Sequence, residues 1–181
     1  MKKCVLILLS IILLFSFLAA RDYSDFSRSM KAINTVSMEK YAGVWYEYAR
    51  LENRFEKGFI NTQTEYSILE PDKKGRMRMQ VENSGVKPNG KSSGVVGRAV
   101  VLFKDEPARF KLSFFGPFFS DYTIIGLDEE NYQWALMAGG SKKLLWFFSR
   151  TPNMDPAVFN KLKAIAEGYG FNTSELIFPQ K

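Results

Sequence analysis

The sequence predicts an all-β fold, an eight-stranded antiparallel up-and-down barrel with one C-terminal α-helix packed outside it. Short segments rich in aromatic and β-branched residues recur at near-regular spacing over residues 41–150. Glycine, proline, asparagine and aspartate separate these segments, which is typical of strands joined by tight turns. One segment with helical periodicity follows the last of them. Eight such strands can close into a barrel that has room for one small ligand.

The first twenty residues predict a signal peptide. Lys2 and Lys3 give a positive start, and an apolar run over residues 5–20 ends in Leu18-Ala19-Ala20. This layout is typical of a secretory signal. The run is shorter than the roughly 20 residues of a membrane span, so cleavage is favoured over a retained anchor. We therefore expect an exported protein that is periplasmic or secreted.

Composition excludes several classes of function. Cys4, the only cysteine, lies inside the predicted signal, and the chain contains no histidine. The mature chain therefore lacks a thiol nucleophile, the commonest general base and the commonest ligands of soft metals. The net charge of +6 is not gathered into a basic block. No metal, no cofactor and no nucleic-acid partner is expected.

The elements of the mature chain follow in order. Residues 21–40 are polar and are expected to form a lead-in that crosses one end of the domain, and residues 41–181 form a barrel domain with its helix and tail. The eight predicted strands cover Gly43–Leu51, Asn61–Leu69, Arg76–Asn83, Gly94–Phe103, Arg109–Phe115, Tyr122–Asp128, Tyr132–Gly139 and Lys143–Arg150.

A helix is predicted over residues 156–168, after the last strand. Asp155 is a favourable N-cap and Pro156 suits the first helical position. Apolar residues recur from Val158 at helical spacing, which predicts one apolar face toward the outside of the barrel. Residues 174–179 are expected to form a short final strand or an extended tail.

Three motifs carry a resemblance to a known family. They are Gly-x-Trp-Tyr-Glu from Gly43, Phe-Phe-Gly-Pro-Phe from Phe114, and Ser-Arg-Thr-Pro from Ser149, in that order along the chain. Over residues 40–180 the sequence resembles the lipocalins, in particular bacterial lipocalins of the outer-membrane lipoprotein type, which are related to apolipoprotein D.

The resemblance implies four structural residues. Trp45 would close the floor of the barrel, with the Arg150 guanidinium across its indole in a cation–π contact. Gly43 would let the backbone turn tightly beside that ring. Asp128 is the one residue kept from a Thr-Asp-Tyr motif of the family, since residues 127–129 read Leu-Asp-Glu here.

One departure concerns location. Bacterial members of this type commonly carry a lipidated cysteine at the end of the signal, whereas Arg21 follows Ala20 in this sequence. Outer-membrane association is thus implied only by the resemblance.

Candidate ligand-binding residues come from strand alternation and from the resemblance. If Arg150 reaches the floor, residues of the same strand at even positions face the interior above it. The resemblance places Trp146 and Tyr66 at ligand-contacting positions, and packing in the core is the alternative for every candidate. The candidates are Trp146, Tyr66, Phe148, Leu144, Tyr122, Met77 and Met79.

No catalytic residues are expected, because the usual triads need a histidine or a cysteine. The pair Ser141-Lys142 is better explained as part of a turn. Glu47, Glu52 and Glu56 have the carboxylates that a glycosidase would need, but their spacing indicates a solvated rim.

The expected function is non-enzymatic binding, for storage or transport, of a hydrophobic ligand such as a fatty acid or a lysophospholipid in envelope maintenance. One alternative is an enzyme that acts on lipid inside the same barrel. Another is an interaction protein whose apolar segment Phe114–Phe119 docks on a membrane surface or on a second copy of the chain, as a homodimer.

Overall fold

The structure, a computed structural model, describes residues 25–180, so the predicted signal peptide over residues 1–20 lies outside the described residues. Residues 25–29 are helical. The remaining elements are α1 (Met38–Tyr41), β1 (Gly43–Leu51), β2 (Ile60–Leu69), β3 (Arg78–Val86), β4 (Ser92–Val101), β5 (Arg109–Phe115), β6 (Phe118–Leu127), β7 (Trp134–Gly139), β8 (Leu145–Ser149), α2 (Pro156–Gly168), a 3-10 turn (Thr173–Glu175) and β9 (Leu176–Ile177).

Strands β1 to β8 form a closed antiparallel barrel. Each strand pairs with the next along the chain, and β1 pairs with both β2 and β8, which closes the sheet. The predicted eight-stranded barrel is confirmed. The predicted helix is also confirmed over residues 156–168, with the Asp155 carboxylate accepting hydrogen bonds from the backbone of Ala157 and Val158.

Two predicted hairpins have shifted bounds. Strands β3 and β4 both extend closer to their connection than predicted, because a compact turn between Lys87 and Lys91 joins them directly. Strand β6 begins at Phe118 instead of Tyr122, since Gly116-Pro117 is a two-residue turn and Phe115 already pairs with Phe118. Gly116 has the positive φ of 57° that such a turn requires.

Strands β7 and β8 are shorter than predicted. The chain between β6 and β7 turns around Asp128, whose carboxylate accepts hydrogen bonds from the backbone N–H groups of Asn131 and Gln133. Tyr132 has a positive φ of 56°, so the strand begins only at Trp134. Asp128 therefore holds a loop at the closed end of the barrel.

Alternate residues of β8 pack in two separate cores. Trp146 and Phe148 face the barrel interior, whereas Leu145 and Phe147 face outward beneath α2. The predicted alternation is confirmed. The outer core also includes Leu162 from α2, so the helix covers one side of the barrel.

The floor of the barrel is closed by Trp45 and Arg150. The Trp45 ring is fully buried, and its indole N–H donates to the Tyr41 carbonyl oxygen at 2.8 Å. The Arg150 guanidinium carbon lies 3.8 Å from the centroid of the Trp45 ring. Gly43 has a φ of 94°, and a Cβ there would lie 3.4 Å from Arg150 Nη1. The positive φ is the reason that this position favours glycine, since the contact with Arg150 is of ordinary van der Waals length.

The opposite end of the barrel is open. The β1–β2, β3–β4, β5–β6 and β7–β8 connections surround it, whereas residues 32–37 and α1 cross the closed end, where Ile33 N–H donates to the Ile124 carbonyl. Earlier in the lead-in, Phe26 and Met30 pack in the outer core instead. Near the open end β1 leaves β2 and pairs with β9 instead. Among the described residues, no helix combines the length and apolar character needed to cross a membrane.

Candidate ligand cavity

A cavity of about 580 Å³ occupies the open half of the barrel. Its volume falls within the range of sites that hold a small organic ligand. Residues from six of the strands and from the β1–β2, β3–β4 and β7–β8 connections line it. The lining residues are Asn53, Arg54, Phe55, Glu56, Phe59, Thr62, Asn83, Ser84, Lys87, Ser93, Gly94, Val95, Leu112, Phe114, Phe115, Phe118, Ser120, Tyr122, Leu144 and Trp146.

Three of the seven candidate ligand-binding residues line this cavity, namely Trp146, Tyr122 and Leu144. The other four do not. Tyr66, Phe148 and Met79 are buried in the packed core between the cavity and the floor, and Met77 packs against that core. Contact with ligand stays a prediction for the first three.

One side of the cavity is an apolar wall formed by Leu112, Phe114, Tyr122, Leu144 and Trp146. The Tyr122 and Trp146 rings stack with centroids 5.0 Å apart and an interplanar angle of 29°. This pair fixes the orientation of the indole, so one broad aromatic surface borders the cavity. Such a wall can take up hydrocarbon.

The rest of the lining includes a polar wall formed by Asn53, Glu56, Thr62 and Asn83. Thr62 and Asn83 come from the neighbouring strands β2 and β3. Asn83 pairs in register with Thr64, two residues along β2 from Thr62, so both side chains belong to the inward face. The Thr62 side chain hydrogen-bonds to the Glu47 carboxyl, whereas the buried Asn83 Oδ1 has no hydrogen-bond partner among residues 25–180.

Two of the three glutamates interpreted as a solvated rim are buried, so that interpretation is wrong for them. Glu47 and Glu56 are 1% and 8% exposed, whereas Glu52 is exposed. Arg50 Nε lies 3.2 Å from Glu47 Oε2 and 3.9 Å from Glu56 Oε2, and Arg50 is fully buried. These two acids can be buried because the buried Arg50 guanidinium lies beside them and offsets part of the cost of removing them from water.

A β-bulge places this arginine inside the barrel. The pairing of β1 with β8 shifts between Glu47 and Ala49, so Tyr48 is an extra residue. Glu47 and Arg50 therefore both face inward although three positions separate them, while Ala49 belongs to the outer core. Simple alternation would have placed Glu47 and Arg50 on opposite faces.

Glu56 anchors the β1–β2 connection to the interior. Its Oε2 accepts a hydrogen bond from Trp146 Nε1 at 3.1 Å and another from Asn53 Nδ2 at 2.6 Å. Its backbone carbonyl accepts one from Arg50 Nη2 at 2.6 Å. The connection over residues 52–59 is thus held across part of the cavity by charge-assisted hydrogen bonds.

Burial raises the pKa of Glu47 well above its ordinary value of 4.5. The neighbouring Glu56 carboxylate raises this pKa further, and the Arg50 guanidinium opposes the shift only in part. Two acids that share one cation in a desolvated site disfavour ionisation of one of them. The folded chain therefore favours the protonated form of Glu47 more than the unfolded chain does.

Exposed aromatic rings and cations surround the mouth of the cavity. Phe55, Phe115 and Phe118 are 60%, 65% and 79% exposed. Arg54 and Lys87 line the same opening. Large exposed rings next to cations distinguish this end of the barrel from an ordinary soluble surface.

The alternative catalytic pair lies in a turn, as the sequence indicated. Ser141 Oγ accepts from Lys143 N–H, and the Ser141 carbonyl accepts from Leu144 N–H in the β7–β8 connection. Within residues 25–180, no group of three or more acidic or sulfur ligands is placed to hold a metal ion. The described site is suited to binding by shape, apolar contact and hydrogen bonding.

Comparison with protein-family models matches residues 36–181 to a lipocalin-like domain. The chain is 36% identical to the outer membrane lipoprotein Blc of Escherichia coli K12, across 85% of this chain and 84% of that protein. It is 32% identical to the protein of the same name in Vibrio cholerae, across 84% and 87%. It is 29% identical to mouse apolipoprotein D, across 77% and 74%.

Solved structures agree with the architecture. Lobster apocrustacyanin A1 superposes with a TM-score of 0.64 at 19% identity, covering 79% of this chain and 78% of that chain. Insecticyanin from the tobacco hornworm gives 0.63 at 19% identity, with 83% of each chain covered. At this identity the likeness concerns the fold alone.

Proposed function

The chain belongs to the lipocalin family, whose members bind small hydrophobic ligands, and we propose that it stores or carries a single-chain lipid. A fatty acid or a lysophospholipid is the ligand class we favour. The observation that carries the proposal is the stacked pair of Tyr122 and Trp146 bordering a cavity of about 580 Å³. Burial of hydrocarbon there contributes roughly 25 cal/mol per Å² of apolar surface.

The charges favour one orientation of the ligand. Glu56 places a carboxylate in the polar wall, which disfavours an anionic headgroup deep in the barrel. Arg54 and Lys87 offer cations at the mouth instead. We therefore propose that the acyl chain enters first and that the anionic headgroup stays at the mouth.

Two adjacent substitutions test the carrier function. Val95 lines the cavity, whereas Val96 faces outward and is exposed. Val95→Trp should fill part of the cavity and weaken displacement of a fluorescent fatty acid, and Val96→Trp should leave it unchanged. Equal affinities in both variants, or no lipid binding by the parent protein, would remove the support for an internal site. Release of fatty acid from lysophospholipid in the same samples would favour the enzyme alternative.

We also propose that the protein is exported and works at a lipid surface of the cell envelope. The relatives from Escherichia coli and Vibrio cholerae are called outer membrane lipoproteins. Phe115 and Phe118 form an exposed apolar tip on the β5–β6 hairpin, with Arg54 and Lys87 close to the same mouth. Rings and cations together suit an anionic bilayer, which would let lipid pass directly into the cavity.

Vesicle binding tests the docking surface. Phe115→Ser/Phe118→Ser should reduce binding to vesicles that contain phosphatidylglycerol. Phe103→Ser is the matched control, because Phe103 is 56% exposed but follows β4 at the closed end. Equal vesicle binding by both variants would contradict membrane docking. Loss of a homodimer in the double variant, measured by light scattering, would assign the same tip to a second copy of the chain.

A further inference from the structure

The barrel wall has a gap near its open end, where β1 and β2 part. These strands pair directly only over residues 43–46 and 63–66. Beyond that point β1 pairs with β9, and the Asn61 N–H group of β2 donates to the Pro179 carbonyl at 2.7 Å. Residues 176–180, the C-terminal tail, therefore fill the gap between the two strands.

The Gln180 side chain bridges the two strands directly. Its Nε2 donates to the Thr62 carbonyl oxygen at 2.6 Å and to the Glu47 carbonyl oxygen at 3.2 Å. A primary amide carries two N–H hydrogens, so one side chain can serve both acceptors. The two hydrogen bonds replace ladder bonds that β1 and β2 do not make to each other at this level.

Three buried charged residues lie behind this bridge and form the charge cluster, namely Glu47, Arg50 and Glu56. The Glu47 side chain points inward, where Thr62 hydrogen-bonds to its carboxyl and Arg50 Nε lies 3.2 Å from Oε2. Arg50 is paired in register with Ile177, so the C-terminal tail runs beside the charge cluster. Contacts between charged groups are strong only where water is excluded.

The charge cluster is connected to the aromatic surface that borders the cavity. Arg50 Nη2 donates to the Glu56 carbonyl at 2.6 Å, and Glu56 Oε2 accepts from Trp146 Nε1 at 3.1 Å. Trp146 in turn stacks on Tyr122. A continuous series of contacts therefore leads from Gln180 to the stacked rings. The charge-assisted hydrogen bonds in this series weaken when water competes for the carboxylate.

We propose that Gln180 is a positioning residue for the ligand cavity: its bridge between β1 and β2 keeps water out of the charge cluster, which holds Trp146 in place against the lipid. Gln180 does not line the cavity, so it affects binding through Trp146. When the bridge is lost, water reaches the charge cluster and the hydrogen bond between Glu56 and Trp146 weakens. This inference rests on the proposed carrier function.

Substitution of Gln180 tests the effect on binding. Gln180→Met removes both hydrogen bonds and keeps a side chain of similar length. Its affinity for a fluorescent fatty acid should fall roughly threefold to tenfold, as expected for the loss of about one net hydrogen bond at Trp146. Gln133→Met is the matched control and should bind like the parent protein, because Gln133 Nε2 donates to the Asn131 carbonyl at the closed end. Circular dichroism checks folding, and Gln180→Asn, which keeps the amide on a shorter side chain, should give an intermediate affinity.

A double-mutant cycle tests whether Gln180 acts through Trp146. Trp146→Phe keeps an aromatic ring but removes the N–H group that donates to Glu56. In that background Gln180→Met should lower the affinity by less than about twofold, because the hydrogen bond that it would weaken is already absent. Additive losses of affinity would mean that Gln180 affects binding by another route, which would contradict the proposal.

The pH dependence of stability separates a hydrated charge cluster from a simple loss of contacts. Among the described residues, the titratable groups that face Glu47 are Arg50, Glu56 and Tyr66. Burial raises the pKa of Glu47, so entry of water should bring this pKa closer to its ordinary value of 4.5. The fall in unfolding temperature above pH 4.5 should therefore be shallower in Gln180→Met than in the parent protein.

Two results would overturn the inference while leaving the carrier function intact. One is that Gln180→Met binds the fatty acid as tightly as the parent protein does. The other is that its unfolding temperature is lowered by the same amount at every pH, which is the result of a purely structural contact. Absence of lipid binding by the parent protein would instead overturn the carrier function and this inference together.

Discussion

Arg150 lies over the ring of Trp45 at the closed end of the barrel, with its guanidinium carbon 3.8 Å from the ring centroid. The same guanidinium donates to the backbone carbonyl of Val44 at 2.8 Å and to that of Tyr132 at 3.1 Å. It also donates to the carbonyls of residues 40, 41 and 42. One side chain thereby joins α1, the start of β1 and the β6–β7 connection beneath the core.

The stability of the fold should be sensitive to substitution of Gly43, because its backbone has a positive φ beside this guanidinium. Gly43→Ala should lower the free energy of unfolding by about 1–3 kcal/mol, since alanine disfavours a φ of 94°. Gly168→Ala is the matched control: no heavy atom lies within 4 Å of its Cβ position. It lies in α2, so alanine should be neutral or stabilising by up to about 1 kcal/mol. Urea unfolding midpoints should separate the two variants, and equal midpoints would contradict the geometry of the floor.

Trp45 and Trp146 should respond differently to truncation. Trp45→Ala removes a fully buried ring and should cost about 3–5 kcal/mol of stability. Trp146→Ala removes a ring that borders the cavity, so it should cost less stability and weaken lipid binding about tenfold. Trp146→Ala should still lower the free energy of unfolding, because it removes the hydrogen bond from Trp146 to Glu56. If Trp146→Ala unfolds as readily as Trp45→Ala and binds lipid normally once folded, Trp146 is a core residue.

Stability should fall as the pH rises above the ordinary glutamate pKa of 4.5, because of Glu47. Below that pH, Glu47 is protonated in both the folded and the unfolded chain. As the pH rises, the unfolded chain releases the proton first, which favours unfolding until the raised pKa is passed. Each unit of pKa difference contributes about 1.4 kcal/mol.

Thermal unfolding across a pH series checks this expectation. Glu47→Gln should give a flatter profile than the parent protein over the same pH range. Glu52→Gln is the control, since Glu52 is exposed and should leave the profile unchanged. If the unfolding temperature of the parent protein rises with pH over a range where that of Glu47→Gln is constant, Glu47 has the opposite effect. That result would contradict a raised pKa of Glu47.

The barrel, the helix and the floor could be predicted from the sequence because each depends on local signals. Turn residues mark the strand ends, Asp155 caps the helix, and alternation along β8 places Trp146 inside. The bounds of β6 were less predictable. Gly116-Pro117 forms a turn so tight that Phe118 pairs at once with Phe115.

The buried charges could not be predicted in the same way. The inward position of Arg50 depends on the β-bulge at Tyr48, which the sequence pattern of β1 does not mark. Glu56 lies in a connection rich in charged residues, where a carboxylate ordinarily faces water. Only the folded chain brings Trp146, ninety positions away, into contact with it.

The dependence of affinity on acyl-chain length tests the central claim most directly, that the cavity holds a lipid chain. Dissociation constants are measured for saturated fatty acids from decanoic to octadecanoic acid, with the parent protein and with Val95→Trp. Each added methylene should contribute about 0.8 kcal/mol, roughly a threefold to fourfold gain in affinity, until the chain fills the cavity. Val95→Trp should reach its plateau at a shorter chain. Affinity that is independent of chain length, or the same plateau in both proteins, would contradict a ligand inside the barrel.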